Sequence, residues 1–134
     1  MKRLLFVCVE NSCRSQMAEA FAHIYGRDEV DARSAGSKPS GIVNPKAVAT
    51  MAEIGYDLNT HDSVSLTAYP GDAFDAVITM GCGDCPNVAA TIREDWGIPD
   101  PKHMEPEAFA EIRDLIGSKV KGLLARLEVA PAGG

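Results

Sequence analysis

Four consecutive apolar residues, Leu4-Leu5-Phe6-Val7, run directly into Cys8, and six positions later Arg14-Ser15 opens a segment of helical periodicity. A short continuous apolar run is the pattern of a strand buried on both faces of a parallel sheet. From Ser15 to Tyr25, residues Ala18, Phe21, Ala22 and Tyr25 fall on one helical spacing, and Gly26 stops the segment. The alternation then repeats. Val30 to Ser34 reads as a strand closed by Ala35-Gly36. Asn44-Pro45 reads as the cap and first turn of a helix carrying Val48, Met51, Ala52 and Ile54 and ending at Gly55. Ala76 to Met80 reads as a third strand, and a short helix is expected near Asn87 to Arg93. A last helix, Pro106 to Leu127, puts Phe109, Ile112, Ile116, Val120, Leu123 and Leu127 on one face, with Gly117 and Gly122 as local weak points.

Strands alternating with helices predict an α/β fold with right-handed crossovers around a mainly parallel sheet. The chain shows no repeat or linker, so residues 1–134 are read as one domain with a frayed tail at 130–134. No apolar run approaches the roughly 20 residues of a membrane span. No small-residue cleavage site follows Met1-Lys2-Arg3, so a cytoplasmic location is expected. The net charge of −6 argues against a nucleic-acid partner but not against a small anionic substrate. No exposed apolar stripe demands a partner subunit, and a monomer is expected.

Ligands of open α/β sheets bind beyond the carboxyl ends of the strands. The four cysteines fall there as two pairs, Cys8 with Cys13 after the first strand and Cys82 with Cys85 after the third. Without a secretion signal they read as reactive thiols rather than disulfide staples. Between Cys8 and the helix, backbone amides of Glu10, Asn11, Ser12, Cys13 and Arg14 can curl into an anion-binding nest. The helix N-terminus and Arg14 both favour a thiolate at Cys8. Arg14 can hold two oxygens of a bound oxyanion through its planar fork. Ser15 can donate to the thiolate, Asn11 suits a positive-φ turn, and Glu10 is expected to face solvent so that its charge does not oppose the site.

Cys8-x5-Arg14-Ser15 after an opening strand resembles the low-molecular-weight protein tyrosine phosphatase superfamily. The stretch from Asn11 to Glu19, together with Ser34-Ala35-Gly36, Val43 to Ala47, Trp96-Gly97 and Asp100-Pro101, resembles its arsenate-reductase branch. The resemblance implies a four-stranded parallel sheet flanked by helices, and a general-acid role for Asp100 above the oxyanion. It implies a thiol relay in which Cys8 forms an arseno-cysteine adduct, Cys82 attacks it and Cys85 regenerates the nucleophile. The donor would be thioredoxin, glutaredoxin or a low-molecular-weight thiol, with no organic cofactor. The Cys82–Cys85 spacing is shorter than in thioredoxin-coupled members, and matching Thr79-Met80 puts Gly81 at their relay position, so the order of the two thiols stays open, as does a part for Cys13.

The same branch can hold potassium through residues corresponding to Asn11, Glu19 and Ser34 plus a later Asp, which here falls on Val64 with Asp62 nearby. For zinc, Cys82-x-x-Cys85 lacks a second ligand pair, because His23, His61 and His103 are scattered. Two other functions remain. A tyrosine phosphatase shares the loop chemistry, but Lys102-His103 stands after Asp100-Pro101 where phosphatases tend to place an aromatic. A non-catalytic oxyanion- or arsenite-binding module would not need Asp100.

Overall fold

The computed structural model describes residues 2–8, 13–36, 38–65, 73–81 and 89–127. Glu10, Asn11, Ser12, Cys82 and Cys85 lie outside them, as does the expected frayed tail.

The first strand, β1 (Lys2–Cys8), leads into helix α1 (Arg14–Gly26), and β2 (Val30–Gly36) follows after one 3-10 turn. Then come α2 (Pro45–Ala52), a 3-10 turn at Leu58–Thr60, β3 (Ala73–Thr79), β4 (Ala89–Asp95) and the long helix α3 (Pro106–Arg126). The four strands form one parallel sheet in the order β2-β1-β3-β4, with Cys8 beside Gly36 and Val7 beside Thr79. The carboxyl ends of β1, β2 and β3 therefore lie side by side, as ligand binding at a switch point requires.

The apolar run of β1 owes its length to burial on both faces. Leu4, Phe6 and Cys8 belong to a core shared with Met17, Ala18 and Phe21 of α1, Met51 of α2, and Phe109, Ile116, Val120 and Leu123 of α3. Leu5 and Val7 point the other way, into a smaller cluster with Ala35, Phe74 and Val77. The three helices among the described residues thus pack on one face of the sheet. Among the described residues no helix is long and apolar enough to cross a membrane.

Two expectations need correction. The short helix near Asn87 to Arg93 is not formed over 89–93, where the chain is strand β4 paired in parallel with β3. Its only bulky apolar residue is Ile92, and exposed and part-buried positions alternate. Edge-strand pairing, rather than local preference, decides that segment. Helix α2 ends at Ala52 and not at Gly55, leaving Ile54 42% exposed outside the core. Its start is as expected: the Asn44 side chain accepts from Lys46 N at 2.8 Å, with Pro45 in the first turn.

Gly117 proves to be a packing residue rather than a weak point. A Cβ there would sit 2.9 Å from the Phe21 ring, so glycine lets α3 lie against α1.

At the far end, Arg126 of α3 makes a bidentate pair with Glu94 of β4, and the Trp96 indole donates to the same carboxylate at 3.0 Å. The hydrogen bonds from Arg126 and then Trp96 pull the Glu94 carboxyl down from 4.5 to about 2. The contribution is present above the unfolded value and disappears as pH falls toward about 2. Both partners are partly solvated, so Glu94→Gln is expected to cost only about 1 kcal/mol at neutral pH. Urea midpoints of the two chains should converge on acidification; a gap that persists at the acid end would rule out this ion pair as its source.

Candidate active site

Cys8 ends β1 in the sheet interior, 3% exposed, and its Sγ lies 2.9 Å from Ser15 Oγ in the first turn of α1. Arg14, at the first position of that helix, is turned inward and buried. Its Nη1 donates to the carbonyls of Met80 at 2.7 Å and Ile98 at 2.8 Å. Its Nη2 lies 4.0 Å from Asp100 Oδ2. One edge of the guanidinium is thus anchored to the ends of two loops, while Nη2 is directed toward the aspartate. Asp100 Oδ1 accepts from Lys102 N at 3.0 Å, which closes the Asp-Pro turn and leaves Oδ2 on the arginine side. Cys13 is buried beside Arg14 and precedes the helix without a side-chain cap hydrogen bond.

The structure therefore brings together Cys8, Arg14, Ser15 and Asp100, residues from three separate stretches of chain. Backbone geometry explains how close the two loops come. Gly81 has φ +89°, and a Cβ on it would lie 3.2 Å from the Gly97 Cα. A side chain at position 81 would be strained and would push the stretch leading to Asp100.

A second polar cluster, which the sequence did not reveal, lies beside this site along α1. Gln16 is fully buried; its Nε2 donates to Asp62 O at 2.9 Å and its Oε1 lies 2.9 Å from His61 Nδ1. His61 Nε2 lies 2.6 Å from the Tyr56 hydroxyl. Burial is the main cause lowering His61 from its ordinary value, and so it is held neutral. Burial, then the charges of Glu19 and Asp57, push the Tyr56 phenol up to about 12, so it stays protonated. The neutral His61 therefore donates from Nδ1 to Gln16 and accepts from Tyr56 at Nε2. Glu19 is mostly buried rather than a solvated helix carboxylate, and its Oε1 accepts from Ser34 Oγ at 2.6 Å. Glu19 and Ser34, both expected near a cation, are thus in contact. The i,i+4 spacing of Glu19 and His23 was readable in the sequence; the arrival of His61 was not.

A single parallel sheet with a cysteine-to-arginine loop between its first strand and first helix, at the sheet's carboxyl edge, defines the class of protein. The chain belongs to the low molecular weight phosphotyrosine protein phosphatase family, whose sequence pattern matches residues 3–131. Within that family it is similar to a glutaredoxin arsenate reductase of Synechocystis sp., at 38% identity over 131 residues, covering 95% of this chain and 99% of the relative. A solved arsenate reductase in the phosphate-binding state superimposes with a TM-score of 0.87 at 38% identity, over 94% of this chain and 98% of the other. A thioredoxin-dependent arsenate reductase of Corynebacterium glutamicum aligns with a TM-score of 0.73 at 28% identity, over 96% of this chain and 62% of that one.

Proposed function

We propose that the protein reduces arsenate to arsenite with Cys8 as nucleophile. The convergence of Cys8 Sγ, Ser15 Oγ, the Arg14 guanidinium and Asp100 Oδ2 at one sheet edge is the observation that carries the reading. The arsenate reductases among its relatives support the choice of oxyanion.

In this mechanism the loop amides of Glu10, Asn11, Ser12, Cys13 and Arg14, with the Nε–Nη2 edge of Arg14, hold arsenate in line with Cys8. Ser15 donates to the thiolate and fixes its direction. The Cys8 sulfur attacks arsenic, an As–O bond breaks, and Asp100 protonates the departing oxygen as water. A thiol of the Cys82/Cys85 pair then attacks the Cys8 sulfur. The S–As bond breaks, its electron pair stays on arsenic, and arsenite leaves while a Cys8 disulfide forms. The other thiol of the pair exchanges into that disulfide, freeing Cys8 and leaving Cys82–Cys85 oxidised. A thioredoxin, glutaredoxin or low-molecular-weight thiol returns the pair to dithiol. The anchoring of Arg14 on Met80 O, two residues before Cys82, supports a short path for the relay. Such a chain functions as one domain in a reducing cytoplasm, as a monomer.

The test counts thiols. Reduced protein treated with arsenate and no donor is expected to lose two thiols per arsenite released. Unchanged thiols with fast aryl-phosphate turnover would make it a phosphatase; arsenite bound without turnover would make it a binding module. Cys82→Ser and Cys85→Ser should each stop multiple turnover in the presence of donor. Sustained cycling by both variants would sink the relay.

A further inference from the structure

We propose that Glu19, His23 and His61 form a binding site for a divalent first-row transition metal of the zinc class, outside the oxyanion site. Their ligand atoms all lie within 4.8 Å of one another. Glu19 and His23 are one helical turn apart on α1, and His61 reaches them from just after the 3-10 turn at Leu58–Thr60.

The geometry turns on one oxygen. Glu19 Oε2 lies 3.5 Å from His23 Nε2 and 3.4 Å from His61 Nδ1. Both separations exceed the N–H···O range of about 2.7–3.2 Å, so neither is a good hydrogen bond. They match instead the roughly 3.3 Å edge between ligand atoms of a tetrahedral zinc with bonds of about 2.0–2.1 Å. The third edge, between the two imidazoles, closes with a modest turn of His23, which stands at the rim with its side chain 38% exposed.

The supporting groups are already in place. Ser34 Oγ holds the other Glu19 oxygen at 2.6 Å, directing Oε2 at the histidines. Tyr56 sits on the far nitrogen of His61, the position from which outer partners orient a ligating imidazole. To bind through Nδ1, His61 shifts its proton to Nε2, where the Tyr56 oxygen accepts it, and Gln16 Oε1 gives up its present partner. The three groups line a cavity of about 560 Å3, with room for water in the remaining coordination positions. Asp31 and Asp62 line the same cavity, and Arg33, the cation among its described lining residues, is paired with Asp31 at 3.1 Å. Two imidazole nitrogens select zinc, cobalt, nickel or copper over alkali and alkaline-earth ions. Bound metal would clamp α1, which begins at Arg14, to the 58–62 segment.

The test uses the full chain with cobalt(II) as the probe, then zinc(II) in competition, in buffer with excess potassium chloride. Binding is expected at one site, with weak visible d–d bands and no intense thiolate-to-cobalt charge transfer, and with a rise in Tm. His23→Ala, a rim substitution that leaves the fold intact, and His61→Ala should each weaken binding beyond the roughly 10–100-fold that loss of an outer-shell partner costs. Glu19→Gln should do the same. A spectrum dominated by thiolate bands would place the metal on the cysteines and overturn the proposal. So would wild-type affinity in His23→Ala, or displacement of cobalt by potassium, which would make the oxygens of Glu19 and Ser34 the site.

Discussion

Cys8→Ser is expected to abolish arsenate reduction and any aryl-phosphate hydrolysis together, by more than about 10³-fold in kcat/KM. The reason is electronic rather than steric. Serine is nearly isosteric, but its hydroxyl stays protonated at neutral pH and its oxygen cannot form the disulfide that releases arsenite. The substitution is expected to leave the surrounding core intact. Residue 8 is 3% exposed, and burying a hydroxyl there costs about 1–3 kcal/mol. Ser15 Oγ, 2.9 Å from the present sulfur, supplies a hydrogen bond that offsets part of this cost. The variant should therefore melt cooperatively and still bind phosphate or arsenate. Steady-state kinetics, a circular-dichroism melt and oxyanion titration check the three statements. Residual arsenite production near the wild-type rate in folded Cys8→Ser would move the nucleophile elsewhere.

Arg14→Lys is the second large effect. A guanidinium can satisfy Met80 O and Ile98 O from one nitrogen while its other nitrogens remain for an oxyanion and Asp100. An ammonium is a single point of charge with no planar fork, and cannot do both. Loss of a preorganised donor to a developing oxyanion costs about 10²–10³-fold in kcat. Leaving buried carbonyls without partners costs about 1–3 kcal/mol each in stability. Arg14→Lys should therefore lower kcat and Tm together, whereas Cys8→Ser lowers kcat far more than Tm. That contrast separates the arginine's positioning of two loops from the cysteine's chemistry. Near-normal kcat in Arg14→Lys would mean that positive charge alone suffices and that the anchoring to Met80 and Ile98 is incidental.

The reading of the sequence succeeded at strands and helix starts whose signal lay within a few residues. The run into Cys8 showed a doubly buried strand, and the Asn44-Pro45 pair showed a capped helix start. It failed at β4, where Ala89 to Asp95 lacks a strong strand pattern because an edge strand with one partner needs none. Asp100 was legible only through family resemblance, since a turn aspartate before proline looks the same with or without a catalytic neighbour. In the structure one of its oxygens closes the turn and the other lies 4.0 Å from Arg14.

The sequence by itself determined the loop from Cys8 to Arg14 at the end of the first strand, the presence of a second thiol pair after the third, and the first strands and helices in their order but not β4. The tertiary structure alone decided what those groups meet. Arg14 is held by carbonyls 66 and 84 residues away, and His61 reaches Gln16 across 45 residues to stand beside Glu19 and His23. Local patterns record which way a side chain faces, because helix and strand periods are short. Contacts across such distances depend on how strands order themselves in the sheet, and no local period in the chain encodes that order.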